Sequence, residues 1–211
     1  MKNFGSIIAH GQSYLYPEKP PANLVWTDPK GHENFWCSVT GGTSGSSSSP
    51  RTEERETLPE TATLYNWSLG DALHGMLGTV RVELAPSSGK VIVGQIHGYK
   101  APDPFLMVTW WNGVARIDVR AGPFGLTTKL LEVPCPLGQA FTYMLTIDTS
   151  RVLNVVLNGA TKQHTVLPAW DRYPFYFKRG AYVIDHDGPA EEGGWVVYEA
   201  CQVLHEPGVS K

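Results

Sequence analysis

"YFKRGAY", residues 176–182, decides how the chain is read. As a β-strand it places Tyr176, Lys178, Gly180 and Tyr182 on one face and Phe177, Arg179 and Ala181 on the other, because successive side chains point to opposite sides. Two phenols and an ammonium then line one surface. Either that surface is merely solvated or it is built to handle a ligand.

Working outward, short β-rich runs recur between turn signals along the whole chain, the pattern of a sandwich or barrel. The runs are 23–27, 34–39, 51–56, 78–85, 90–97, 105–111, 114–120, 140–148, 152–157, 173–184 and 195–204, and almost nothing reads as helix. Asn112-Gly113 and Asn158-Gly159 are hairpin signals, and Pro86-Ser-Ser-Gly89 is a third turn, since Gly and Asn adopt positive φ cheaply. Residues 41–49, GGTSGSSSS, form a flexible loop. Segments 17–22 and 185–194 read as surface loops, the second a candidate lid.

The 211 residues fit one domain, 1–211, with enough apolar content (42%) for a real core. A net charge of −3 supplies no global basic field for nucleic acid, so a polyanion would have to meet a local cluster. No run is long and apolar enough for a transmembrane helix, and the opening residues make a poor signal peptide. Cys37, Cys135 and Cys201 are too few and too dispersed for a zinc signature or a disulfide scaffold. One disulfide with a free thiol, or three buried thiols, both fit. Asn66-Trp67-Ser68 is a glycosylation sequon, informative only in an exported eukaryotic chain.

Two further strands carry functional side chains at alternate positions. "RTEERE" (51–56) sets Arg51, Glu53 and Arg55 on one face, with Thr52, Glu54 and Glu56 opposite. "GQIHG" (94–98) sets Gln95 and His97 on one face and Ile96 on the other. Each strand alone reads as a solvated face with charges paired across rungs, or as an edge guarded by lysine.

Together and in this order, Arg51-Thr-Glu-Glu-Arg55, Gln95-Ile-His97 and Tyr176-Phe-Lys-Arg-Gly-Ala-Tyr182 resemble the three signature motifs of the alginate lyases of polysaccharide lyase family 7. The resemblance implies an all-β fold, a β-jelly roll of two antiparallel sheets with a concave substrate groove. It also implies cleavage of a uronate polymer, alginate first, by metal-independent β-elimination inside the chain, with no cofactor. Departures from the family pattern are Glu54 for Leu, Arg179 for Ala, and Val183-Ile184 for Asn-Gln, the last removing an amide expected near the substrate. Ile96 is loosely associated in the family with guluronate-containing blocks.

β-Elimination removes the C5 proton, breaks the C4–O bond and leaves a C4=C5 double bond. The neighbouring carboxylate is already negative, so the developing charge must be neutralised. The resemblance gives that role to Arg51, a planar cationic fork, and to Gln95, an amide donor. His97 is the base near neutral pH, and Tyr182, normally protonated, donates to the departing O4. In the family the tyrosine serves as base and acid where C5–H and O4 lie on the same side, as in mannuronate; the histidine is the base for guluronate. Glu53 orients the arginines, and Arg55, Lys178 and Tyr176 contact neighbouring sugars. Asp185-His186-Asp187 reads as a polar loop rather than a cation site.

Rival readings are a glycoside hydrolase, which usually needs two close carboxylates flanking the bond, though no E-x-D-x-E-like strand occurs here, a non-catalytic carbohydrate-binding jelly roll, and a structural jelly roll. Trp110, Trp111 and Trp170 suit sugar stacking if exposed and the core if buried. Glucuronan or another β-linked polyuronate is the alternative substrate. The expected partner is an anionic polysaccharide, with no nucleic acid and no membrane. A monomer, secreted or periplasmic, is expected from the resemblance.

Overall fold

A computed structural model of the protein describes residues 3–43 and 47–207. One sheet contains β1 (Phe4–Ala9), β2 (Gln12–Leu15), β5 (Arg51–Glu56), β7 (Lys90–Gly98), β8 (Pro104–Trp111), β9 (Val114–Arg120), β10 (Thr127–Pro134) and β14 (Phe175–Val183). The other contains β3 (Val25–Thr27), β4 (Glu33–Ser38), β6 (Ala72–Leu84), β11 (Ala140–Ile147), β12 (Val152–Leu157), β13 (Ala160–Thr165) and β15 (Gly193–Pro207). Their orders are β10-β9-β8-β7-β14-β5-β1-β2 and β13-β12-β11-β6-β15-β4-β3. Every neighbouring pair is antiparallel. This is the two-sheet, all-β sandwich expected for a jelly roll, with one 3-10 turn at Pro168–Trp170. The three motif strands, β5, β14 and β7, are consecutive in the middle of the larger sheet.

The sheets bury their facing sides against each other. From β14 that side supplies Phe175, Phe177, Ala181 and Val183, all fully buried, and Phe35, Phe105, Phe141 and Ile96 pack in the same core. Val183 is therefore a core residue, which suits an aliphatic side chain in place of the family's amide. Trp110 and Trp170 are buried as well, and only Trp111 of the three candidate stacking tryptophans is exposed.

The core side of β5 is unusual, because it reads Thr52, Glu54, Glu56, all at 0% exposure. A buried carboxylate must find a charge or hydrogen-bond partner or it unfolds the strand. Glu56 accepts hydrogen bonds from Trp67 Nε1 (3.2 Å) and the Phe177 amide (2.9 Å) and lies 2.5 Å from His205 Nε2. Glu54 Oε2 meets Arg179 at Nε (2.8 Å) and Nη2 (2.7 Å). Arg179 also reaches Glu33 at 2.5 Å and lies over the rings of Phe4, Tyr198 and Phe35. Burial alone would lower its pKa, but Glu54 with its neighbours holds it well above the ordinary arginine value. The two departures at 54 and 179 are thus one exchange: an apolar pair has become a buried ion pair.

The hairpin signals form as read, with positive φ at Asn112 (47°), Gly113 (86°), Asn158 (45°) and Gly159 (83°). The Pro86–Gly89 turn closes through Gly89 N to Pro86 O at 2.8 Å, yet it joins β6 to β7 and so carries the chain between sheets. Four strands were not among the sequence runs: β1, β2, β10 and β13. Three of these lie on sheet edges, where short or polar strands such as Ala160–Thr165 show no alternation to read. β6 and β15 run further than expected because they pair with each other from Ala72↔Pro207 to Leu84↔Trp195. All three cysteines are free thiols.

Candidate active site

Strand register brings the three motifs together. Tyr182 pairs with Arg51, Gly180 with Glu53, and Lys178 with Arg55 across β14 and β5. Lys178 pairs with Gln95, and Tyr176 with His97, across β14 and β7. All of these side chains stand on the outer face of the sheet, while Phe177, Arg179, Ala181 and Ile96 turn inward.

Glu53 organises the middle of the cluster. It is 2% exposed, its carboxylate accepts from Gln95 Nε2 and forms an ion pair with the Lys178 ammonium, and Arg51 Nη1 lies 3.8 Å away. Lys178 is therefore engaged from below and only 6% exposed. Burial, with repulsion from Arg51 and Arg55, lowers its pKa against the pull of Glu53. Space for this arrangement depends on Gly180. Its φ is 141°, and a Cβ there would come within 2.4 Å of the Thr52 carbonyl oxygen.

At one end, the Arg51 guanidinium lies 3.9 Å from the centre of the Tyr182 ring, a cation–π contact. The Tyr182 hydroxyl is 3.1 Å from Ser47 Oγ. At the other end, His97 stacks on Tyr176 with centroids 5.5 Å apart and planes at 18°. Its Nδ1 is 2.9 Å from the Gly98 carbonyl oxygen; a carbonyl only accepts, so Nδ1 carries the hydrogen and Nε2 keeps its lone pair. Burial, then the Lys178 and Arg51 charges, push His97 down to about 4. It is a neutral imidazole through the neutral range. Tyr176 is half-buried between His97 and the Arg55 guanidinium (3.8 Å from its ring); loss of solvent, outweighing the opposing Arg55 charge, pushes it up to about 12.

Three contributors had no sequence signal. Asn66, visible only as a sequon, accepts from Arg55 Nη2 and so fixes that guanidinium. Tyr99 lies 5.5 Å from the same guanidinium. Ser47 lay in a low-complexity loop, of which residues 44–46 fall outside the described residues. Asp185 accepts backbone hydrogen bonds from Ser88, His186 and Asp187 (2.9, 2.9 and 3.2 Å), and Glu192 accepts one from Ser87 (2.6 Å). The 185–194 segment is thereby fastened to the 86–89 turn. Among the described residues no group of three or more His, Cys, Asp or Glu forms a cage for a metal ion. Among the described residues no helix is long and apolar enough to cross a membrane. A cavity of about 1040 Å³ opens on the other sheet, beside Leu77, Thr142 and Gln202, away from this cluster.

A β-sandwich that spends its buried carboxylate on orienting a lysine and an amide, beside a guanidinium, a neutral imidazole and a phenol, has the layout of a polysaccharide lyase for acidic sugars. The chain belongs to the alginate lyase family, whose sequence model matches residues 18–205. An alginate lyase from Pseudomonas aeruginosa is 27% identical, with a TM-score of 0.84 over 97% of this chain and 99% of its own. A variant of alginate lyase A1-II′ crystallised with the product GGG is 25% identical, with a TM-score of 0.83 over 97% and 98%. The 1.0 Å structure of A1-II′, a member of polysaccharide lyase family 7, is 24% identical with a TM-score of 0.85 over 97% and 96%, and shows the shared fold. No curated protein matches the chain in sequence.

Proposed function

We propose that the protein cleaves alginate within the polymer by β-elimination on the outer face of β5, β14 and β7. Arg51 and one N–H of Gln95 bind the uronate carboxylate and neutralise the charge that develops when C5 loses its proton. Glu53 holds the other amide hydrogen of Gln95, which fixes the donor before substrate arrives.

His97 Nε2 takes the C5 proton where C5–H and O4 lie on opposite sides of the ring. Tyr182 gives its proton to O4 as the C4–O bond breaks, and the electron pair left at C5 forms the C4=C5 double bond. Where C5–H and O4 share a side, Tyr182 enters as the phenolate, takes the C5 proton and passes that proton to O4 as the C4–O bond breaks, ending as the phenolate again. Arg55, steadied by Asn66, and Tyr176 contact an adjoining sugar; Lys178 acts through Glu53 and through its charge on His97.

The observation that carries this reading is the strand register that sets Arg51, Gln95, His97 and Tyr182 on one outer face, with the His97 hydrogen tied to Gly98 and its other nitrogen left as an acceptor. Burial and the Lys178 and Arg51 charges favour the neutral ring. The reading extends to a monomeric, exported protein whose catalytic domain is 1–211, because a polymer of this size is met outside the cytoplasm. The test is ultraviolet absorbance of the conjugated unsaturated uronate, followed separately on polymannuronate and polyguluronate. The wild type produces it. H97A and Y182F lose most turnover while retaining binding; variants that turn over at the wild-type rate would reject the assignments.

A further inference from the structure

We infer that Ser47 is a positioning residue for Tyr182, holding the phenol in line and supplying a hydrogen bond to the phenolate left after proton transfer. The inference rests on the role proposed above for Tyr182.

A serine hydroxyl has one hydrogen and two lone pairs. Ser47 Oγ directs its hydrogen to the Ser49 carbonyl oxygen (3.0 Å) and accepts the Ser49 amide hydrogen (3.2 Å). The Tyr182 hydroxyl lies 3.1 Å from the same oxygen; while the Ser47 hydrogen stays on the Ser49 carbonyl, a lone pair faces the phenol and the phenol is the donor. Once the phenol has given its proton to O4, the donor relation must reverse, and the Ser47 hydroxyl is able to turn from the Ser49 carbonyl to the phenolate.

The hydroxyl does not hang from a free loop end. Ser49 is buried, and the next residue, Pro50, accepts a backbone hydrogen bond from Val183 at 3.1 Å, directly beside Tyr182. The turn that carries Ser47 is thus fastened to the strand that carries the phenol. Arg51, one residue beyond Pro50, covers the ring face at 3.9 Å. Five residues, 47–51, hold the tyrosine at its tip and over its face, and the proton-transfer geometry depends on both contacts.

The experiment is steady-state cleavage of polymannuronate by S47A, S47T, Y182F and S47A/Y182F, with melting temperatures as a check on folding. S47A is expected to lower kcat tenfold to a hundredfold, the worth of a hydrogen bond to a charged group, with KM within twofold. S47T, which keeps the hydroxyl, recovers most of the loss, and S47A costs nothing further in the residual turnover of Y182F. An inactive Y182F beside a fully active S47A would overturn this inference and leave the role of Tyr182 intact. An S47A loss that persists in the Y182F background would place the effect elsewhere and overturn it as well. A fully active Y182F would remove the parent reading instead. Should S47A melt early, S47G in the same series decides between these outcomes.

Discussion

The exchange of an apolar pair for Glu54–Arg179 makes a quantitative prediction about the core. Both residues are at most 2% exposed, and removing one member of a buried pair costs about 3–5 kcal/mol because the other charge stays desolvated. R179A takes the guanidinium away from Glu54 and Glu33 together and belongs at the upper end. E54L leaves Arg179 its contact with Glu33 at 2.5 Å and belongs at the lower end. For a chain of this size each kcal/mol moves the melting temperature by about 2–4 °C, so the single variants melt about 6–20 °C below the wild type. E54L/R179A restores the Leu and Ala of the family pattern and removes both charges together. It should recover most of the loss or exceed the wild type, since apolar replacement of buried ion pairs is often neutral or stabilising. Calorimetry on the four proteins measures the coupling. If the two single losses simply add in the double variant, the pair is not coupled and the reasoning fails.

Two predictions concern the active face. Because His97 is held near 4, the acid limb of kcat/KM on polyguluronate should fall near pH 4 rather than 6.5, the base being lost only as the imidazole protonates; K178M, which removes a charge that depresses it, should move that limb upward in the same pH–rate measurement. R51A should lower kcat by about 10²–10³, as for loss of a donor to a developing anion, and R51K should recover only part of it, because an ammonium lacks the two-pronged fit to a carboxylate.

The inner and outer faces were not equally legible. Alternation in Tyr176–Tyr182 and Arg51–Arg55 specified which side chains share the outer face, and the structure pairs them row by row. Alternation also placed Glu54 inward, but one strand at a time it could not show that Arg179 waits opposite, a contact between residues 125 apart in sequence. Lys178 reads from sequence as a contact to a neighbouring sugar because its partner, Glu53, lies on another strand. The site roles of Asn66 and Ser47 were not legible because each acts there through a contact made only by the fold. The same limit explains β13, a polar edge strand that pairs only with β12 and carries no apolar stripe.

The central claim is that one uronate carboxylate sits between Arg51 and Gln95, with His97 and Tyr182 facing its C5 and O4. A crystal structure of Y182F soaked with a uronate tetramer tests it directly. The account predicts a sugar carboxylate within hydrogen-bonding distance of both the Arg51 guanidinium and the Gln95 amide, with C5 turned toward His97 Nε2 and O4 toward the ring at 182. An oligomer bound with its carboxylates on Arg55 alone, or on the opposite sheet, would contradict it.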